Sequence, residues 1–310
     1  MGNKSYLVTG AAGFIGSALA GKLVNAGHSV VTIDNLSTGF RENIPEKVDL
    51  IEGDCSDKET IGQLDKYQFD TIFHIAGQSS GEISFEDPIY DLQTNAQSTL
   101  LLLKYALKTN CKKFIYASTM SVYGDQPDEP VKESAETNPL SFYAVGKIAS
   151  EHYIRLFTDF GMTNTALRLF NVYGPGQNMK NLKQGMVSIF LAHALSSKRI
   201  IVKGSPERYR DFVFIDDVVE AFIQAEKFDD KKYRFFNIGA GIRTTVAELL
   251  EKIVSNLTFD IEVEFTEPTP GDQFGVYADV SLADTVLDLR HTYNLDEGLK
   301  SMVNWSKERQ

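Results

Sequence analysis

Short runs of β-branched and aromatic residues alternate with amphipathic stretches along the first half of the chain. The apolar runs cover residues 6–8, 30–33, 49–51, 71–73, 114–116 and 166–169. Between the first two runs, residues 13–26 place Ile15, Leu19 and Leu23 on one side of a helix. This alternation is typical of βαβ units and predicts an α/β fold, with a mostly parallel sheet covered by helices.

The pattern also predicts how the chain is divided. Longer helical patterns cover residues 88–109 and 139–160, and beyond Gly174-Pro175-Gly176 the elements become shorter. We predict a first domain over residues 1–175, to which segments of about residues 205–240 return. A smaller α/β lobe covers residues 176–310 and packs onto the first domain, because no low-complexity linker separates them.

Composition and charge exclude several classes of protein. The 310 residues are 43% hydrophobic and carry a formal net charge of −11, which disfavours nonspecific binding of nucleic acid. The two cysteines, Cys55 and Cys111, support neither a disulfide framework nor a metal site. The chain has no run of about 18–20 apolar residues and no secretion signal at its start. We predict a cytoplasmic protein with no metal, membrane or nucleic-acid partner.

A glycine-rich loop joins the first apolar run to the first helix. Gly10 permits the tight turn, Gly13 lets the backbone approach a pyrophosphate, and Gly16 allows the helix to pack closely on the strand. Asp34 ends the second apolar run, where a carboxylate accepts hydrogen bonds from an adenosine ribose and repels a 2′-phosphate. These residues predict a Rossmann-like doubly wound sheet that binds NAD in preference to NADP.

A tyrosine and a lysine lie four residues apart within the predicted helix 139–160. Tyr143 and Lys147 therefore project from one face of that helix. Beside a bound nicotinamide, two positive charges favour the phenolate, so Tyr143 is placed to accept a proton from a hydroxyl group. Thr119, at the end of an apolar run, is placed to hydrogen-bond the reacting oxygen.

Together these motifs resemble the extended short-chain dehydrogenase/reductase superfamily, and in particular its nucleotide-sugar epimerases and dehydratases. Thr119, Tyr143 and Lys147 match the Ser/Thr-Tyr-Lys triad of that superfamily. Gly53-Asp54, His74-Ile75-Ala76-Gly77 and Asn95 match further segments in the expected order. The candidate cofactor-binding residues are Gly10, Gly13, Phe14, Ile15, Gly16, Asp34, Asn35, Asp54, Cys55, Ile75, Ala76, Gly77, Tyr143 and Lys147.

The resemblance also implies residues for the substrate. Asn171 matches an asparagine that contacts the sugar diphosphate, and Arg210 matches an arginine that grips the phosphates. Val276 stands where the family limits the substituent at C2 of the sugar. Thr269 replaces a second diphosphate arginine, which leaves the nucleotide open. The candidate substrate-binding residues are Ser79, Thr119, Tyr143, Asn171, Arg210 and Val276.

The neighbours of Thr119 decide between reactions. In nucleotide-sugar dehydratases the next two residues are acidic, and the similar decarboxylases keep a Glu at the second position, whereas this chain has Met120-Ser121. The resemblance therefore implies a 4-epimerase acting on a UDP-hexose or a UDP-N-acetylhexosamine through a 4-keto intermediate. The alternatives are a 2-epimerase, a 4-keto reductase, a decarboxylase or dehydratase, and a noncatalytic NAD-binding or interaction protein.

The resemblance finally implies a partner and a pathway. The family pairs two long helices of each subunit in a four-helix packing, and residues 88–109 and 139–160 match those helices. We expect a homodimer that supplies precursors for polysaccharide biosynthesis.

Overall fold

The computed structural model describes residues 2–230, 233–268 and 273–308. Its strands are β1 (Ser5–Thr9), β2 (Ser29–Asp34), β3 (Val48–Glu52), β4 (Thr71–His74), β5 (Lys113–Thr119), β6 (Thr163–Leu169), β7 (Asn171–Tyr173), β8 (Arg199–Lys203), β9 (Tyr209–Arg210), β10 (Phe212–Phe214), β11 (Arg234–Ile238), β12 (Thr244–Thr245) and β13 (Glu262–Thr266). Its helices are α1 (Phe14–Asn25), α2 (Lys58–Gly62), α3 (Gly81–Glu86), α4 (Pro88–Leu92), α5 (Ser98–Thr109), α6 (Phe142–Thr158), α7 (Met186–Ser197), α8 (Ile215–Lys227), α9 (Val246–Ser255), α10 (Ser281–Leu287) and α11 (Leu295–Lys307).

Seven parallel strands form the central sheet, in the order β3-β2-β1-β4-β5-β6-β11. The strand order reverses between β1 and β4, and in doubly wound sheets ligands bind at the carboxyl ends of the strands beside that point. The predicted Rossmann-like α/β fold is confirmed. β11 comes from late in the chain, and the smaller strands pair as β7 with β10, β8 with β13 and β9 with β12. The predicted boundary at residue 175 stays a prediction.

Alternate residues of the central strands pack into separate cores on the two faces of the sheet. Tyr6 and Val8 of β1 are buried with Leu19 of α1 and Phe222 of α8. Leu7, between them, is buried in the other cluster, which contains residues of α5 and α6. This period of two, with both faces covered, explains why the strands read as nearly continuous apolar runs.

The predicted helix over residues 88–109 is interrupted. α4 and α5 are joined by a π-helical turn, Gln93–Gln97, at whose centre lies Asn95. The Asn95 side chain donates to the carbonyl of Gln78 and to the Asp91 carboxylate, and the backbone carbonyl of Asn95 accepts hydrogen bonds from the hydroxyls of Thr99 and Ser150. We attribute the wider turn to these bonds. The sequence did not predict it, because helical periodicity cannot show a local change from α to π geometry.

The predicted helix over residues 139–160 is shorter in the structure. Ser141 caps it, because the hydroxyl accepts a hydrogen bond from the amide of Ala144, so the helix begins at Phe142.

Within the described ranges, no helix is both long enough and apolar enough to cross a membrane.

Candidate active site

The glycine loop closes tightly between β1 and α1. Gly10 has a φ of +79°, and a Cβ there would lie 3.0 Å from the backbone of Ala76. A Cβ on Gly16 would clash with the carbonyl of Gly10, so the helix packs here only without a side chain. At Gly13, the N-cap of α1, the only neighbour that a Cβ would meet within 4 Å is the oxygen of Gly10. The loop therefore leaves the free amides at the start of α1 facing an open cleft, as a pyrophosphate requires.

Asp34 lies at the carboxyl end of β2 and anchors this loop. Its carboxylate accepts hydrogen bonds from the amides of Ala12 at 2.8 Å and Leu36 at 2.9 Å. Arg41, the nearby cation in the sequence, is paired with Glu52 on the surface. The carboxylate at this position and the pairing of the arginine fit the predicted preference for an adenosine ribose without a phosphate.

The remaining adenosine-side candidates border the same cleft. Asn35 donates to the Asp54 carboxylate at 2.8 Å, which joins the ends of β2 and β3. Burial raises the pKa of the Cys55 thiol well above its usual range, so Cys55 stays a neutral wall residue. The candidates Phe14, Ile15, Ile75, Ala76 and Gly77 also line the cleft.

A buried histidine holds the segment after β4 in place. His74 contacts Thr9 Oγ1 at 2.9 Å and Ser98 Oγ at 3.2 Å, and Thr9 Oγ1 also accepts the amides of Ile75 and Ala76. Burial lowers the pKa of His74 to about 3, so the ring is neutral. The histidine thus supports the floor of the cleft and carries no charge there.

Thr119, Tyr143 and Lys147 meet at the carboxyl end of β5. Both Tyr143 and Lys147 are buried on one face of α6, and the Lys147 ammonium donates to the carbonyl of Ala117 at 3.0 Å. The same Nζ lies 4.7 Å from the centre of the Tyr116 ring and 5.8 Å from that of Tyr143. The structure therefore brings the three predicted catalytic side chains to one wall of the cleft.

Burial dominates the electrostatics of this group. It raises the pKa of Tyr143 to about 12, while a hydrogen bond with Thr119 acts in the opposite direction. It lowers the pKa of Lys147 to about 8, opposed by the carboxylates of Asp91 and Glu151. The sequence argument considered only the cations that favour the phenolate and omitted this desolvation, which depends on the packing of α6.

The structure places some of the predicted substrate residues at the cleft and others outside its lining. Ser79 and Asn171 line the cleft, and Asn171 Nδ2 is buried with no hydrogen-bond acceptor among the described residues. Arg210 is buried outside the cleft lining, where its guanidinium donates to the carbonyls of Tyr209, Gln273 and Phe274.

Val276 does not border the cleft in the structure. Val276 is packed among Val122, Tyr123 and Phe170 and is absent from the lining. Thr269 lies outside the described residues.

Sequence reasoning missed several polar residues of the cleft. Gln78 follows the segment after β4, and its side-chain amide donates to Asp91 Oδ1 at 2.8 Å. Asn178 and Gln184 line the cleft from the segment between β7 and α7, and Asn178 donates to the carbonyl of Thr38 at 3.1 Å. No motif marks these amides; Gly174, Gly176 and Gly185, all with positive φ, indicate irregular backbone in that segment.

A parallel doubly wound sheet with a glycine loop, a strand-end Asp and a Thr-Tyr-Lys group defines a dinucleotide-dependent enzyme. The model of the NAD-dependent epimerase/dehydratase family matches residues 6–239, and the chain belongs to this family. The predictions of the family, of NAD as cofactor and of an NAD-dependent epimerase-type enzyme are confirmed.

The relatives span nearly the whole chain. The UDP-glucose 4-epimerase of Mycolicibacterium smegmatis is 34% identical over 310 residues, 98% of each chain. A UDP-glucuronic acid decarboxylase of Arabidopsis thaliana is 31% identical, over 97% of this chain and 88% of its own.

Solved structures are similar over the same length. The crystal structure of UDP-glucose 4-epimerase from Thermotoga maritima with UDP-glucose has a TM-score of 0.95 at 34% identity, covering 98% of this chain and 99% of that one. The UDP-glucose 4-epimerase of Thermus thermophilus in complex with NAD has a TM-score of 0.91 at 31% identity, with the same coverage.

Proposed function

We propose that this protein is a nucleotide-sugar 4-epimerase acting on a UDP-hexose or a UDP-N-acetylhexosamine. The observation that carries the proposal is the composition of the site around Thr119: a phenol and an ammonium stand beside it, and Met120 and Ser121 follow it. Ser121 accepts a hydrogen bond from Thr119 Oγ1 at 3.2 Å, so this turn offers hydroxyls and no carboxylic acid. Such a site suits reversible oxidation of one carbinol better than elimination of water.

The protein side chains have distinct tasks in this proposal. When bound, NAD would supply reversible acceptance of a hydride from C4 of the sugar. Tyr143 removes the proton of the 4-hydroxyl, and Thr119 hydrogen-bonds the same oxygen. The Lys147 ammonium stabilises the phenolate and holds the nicotinamide ribose. After the 4-keto sugar turns over in the cleft, Tyr143 returns the proton to the oxygen on C4.

The binding residues follow from the same cleft. We propose that the glycine loop and α1 hold the pyrophosphate, that Asp34 holds the adenosine ribose, and that Asn171 Nδ2 donates to the substrate. The buried, unpaired amide of Asn171 supports this, because such a donor is costly unless a ligand satisfies it. Arg210 and Val276 remain candidate substrate residues, although both are buried outside the cleft lining in the structure.

Proton NMR of the purified protein with candidate substrates tests the function. UDP-glucose, UDP-N-acetylglucosamine and UDP-glucuronic acid are incubated separately without added NAD. We expect the C4 epimer in one of the first two samples, because the cofactor is regenerated and stays bound. Release of CO2 from UDP-glucuronic acid would favour the decarboxylase alternative. No reaction in any sample, with NAD confirmed in the protein, would contradict 4-epimerisation of these sugars.

We further propose a homodimer formed through α4, α5 and α6. Ile89 and Leu92 of α4 and Val145 of α6 expose 63%, 52% and 49% of their surface. Phe142 at the start of α6 and Phe85 of α3 are also exposed and contact each other edge to face. Exposed apolar side chains on helices that pack together favour a second copy, because two such faces bury each other.

Substitution of Ile89 tests the dimer. Ile89→Glu is expected to convert the protein to a monomer at micromolar concentration, because it places a charge within the apolar contact. Sedimentation velocity gives the mass. Ile242→Glu is the control, since Ile242 is also more than half exposed but lies after β11, away from these helices. A wild-type protein that sediments as a monomer would overturn the proposal.

A further inference from the structure

Asp91 is a buried carboxylate that the proposed mechanism does not use. It lies in the last turn of α4, directly before the π-helical turn, and is 1% exposed. Its Oδ1 accepts hydrogen bonds from Gln78 Nε2 at 2.8 Å and Asn95 Nδ2 at 3.1 Å. Its Oδ2 is buried and has no hydrogen-bond donor among the described residues. A buried carboxylate oxygen without a donor requires compensation by a nearby positive charge.

The unpaired oxygen lies against the catalytic helix. A Cβ on Gly146 would lie 3.3 Å from Asp91 Oδ2, so the glycine lets α6 approach the carboxylate without crowding it. Gly146 directly precedes Lys147 and is three residues after Tyr143. On the neighbouring segment, a Cβ on Gly77 would lie 3.4 Å from Lys147 Nζ and would clash with Asn95 Oδ1. The carboxylate and the ammonium thus share one buried region at the wall of the cleft.

Among the described residues, the charged and titratable groups that face Lys147 lie on α4, α6, β4 and β5. Glu151 on α6 raises its pKa, as Asp91 does, but Glu151 is already paired with the buried Arg168. His74 on β4 is neutral, because burial lowers its pKa to about 3. Tyr116 on β5 presents its ring, and Tyr143 its phenol. Among these groups, Asp91 is the carboxylate not already committed to an arginine.

We propose that Asp91 is a positioning residue that supplies the counter-charge of the Lys147 ammonium and fixes the segment after β4 through Gln78. The inference rests on the proposed function of Lys147 and Tyr143. The negative charge of Asp91 stabilises the Lys147 ammonium and opposes ionisation of the Tyr143 phenol. Removing the charge while keeping the shape therefore moves both ionisations toward lower pH.

Titration of Lys147 in Asp91→Asn tests this without any need for turnover. Lysines are labelled with ¹³C at Cε in the full-length protein, and the Lys147 resonance is identified by its loss in Lys147→Arg. Wild-type Lys147 is expected to titrate near pH 8, the value that its burial and neighbours give. In Asp91→Asn the midpoint is expected to fall by about one pH unit, the lower end of the shift produced by a neighbouring opposite charge.

The pH profile of kcat gives the second readout. Both limbs are expected to move to lower pH in Asp91→Asn, whereas a purely structural defect lowers kcat at all pH values and leaves the limbs in place. Asp87→Asn is the matched control. Asp87 is exposed at the N-cap of α4, and Asn caps a helix as well as Asp, so neither readout should change.

A second neutral variant keeps the test usable if Asp91→Asn does not fold. Asp91→Ser removes the charge and places no amide against α6, so it is expected to shift the Lys147 midpoint in the same direction. An unchanged midpoint in whichever neutral variant folds would overturn the proposal. Because the NMR titration requires no turnover, failure of the epimerisation assay contradicts the proposed function without affecting this result.

Discussion

Tyr143→Phe is expected to reduce kcat by at least about 100-fold while NAD remains bound, since general base catalysis typically contributes 10²–10⁴-fold. The phenol is buried beside Thr119, and the cleft wall there offers Lys147 as its other ionisable side chain. That lysine is engaged with the carbonyl of Ala117, so it is poorly placed to replace the phenol. Turnover by NMR and cofactor content by absorbance of the denatured protein measure the two effects separately.

Tyr153→Phe is the matched control for this substitution. Tyr153 lies on the same helix, but its partly buried ring packs on the cluster that contains Leu102 and Ile154, away from the cleft. Its kcat is expected to stay close to that of the wild type. If Tyr143→Phe kept more than about a tenth of wild-type turnover, Tyr143 would not be the base. If it lost NAD, the tyrosine would have to be reassigned to cofactor binding.

Glu151→Gln is expected to lower the free energy of unfolding by about 3–5 kcal/mol, the usual effect of removing one partner from a buried ion pair. Glu151 and Arg168 are each 4% exposed at the side chain, and two hydrogen bonds of 2.9 and 2.7 Å join them. Glu151 also accepts the hydroxyl of Ser118, next to Thr119. The variant leaves the Arg168 charge in the interior without its counter-charge, and denaturant unfolding measures the loss.

Asp65→Asn provides the comparison for that measurement. Asp65 pairs with Lys108 at 2.9 Å, but both side chains are more than half exposed, so water solvates each charge when the pair is broken. Its stability is expected to remain nearly that of the wild type. Equal losses in Asp65→Asn and Glu151→Gln would contradict the argument, because burial would then make no difference to the energy of the pair.

The sequence predicted those parts of the site that depend on local spacing. Prediction of the glycine loop required only its position after the first apolar run. Prediction that Tyr143 and Lys147 share one face required only the periodicity of their helix. The residues that link distant segments escaped prediction. Asp91 and Gln78 precede Lys147 by more than fifty residues, and neither stands in a motif that marks it as part of a site. The motif around Arg210 did not indicate that this side chain is buried. The structure places its guanidinium on backbone carbonyls.

By itself, the sequence determined the class of fold and predicted the cofactor loop and the candidate reacting side chains, because periodicity and turn chemistry act over a few residues. The tertiary structure alone decided the electrostatics. Desolvation of Tyr143 and Lys147 depends on how closely α6 packs on β5, and the position of Asp91 beside Gly146 depends on how α4 packs on α6. Burial and charge proximity are properties of three-dimensional packing, so they appear only when strands and helices from distant parts of the chain meet.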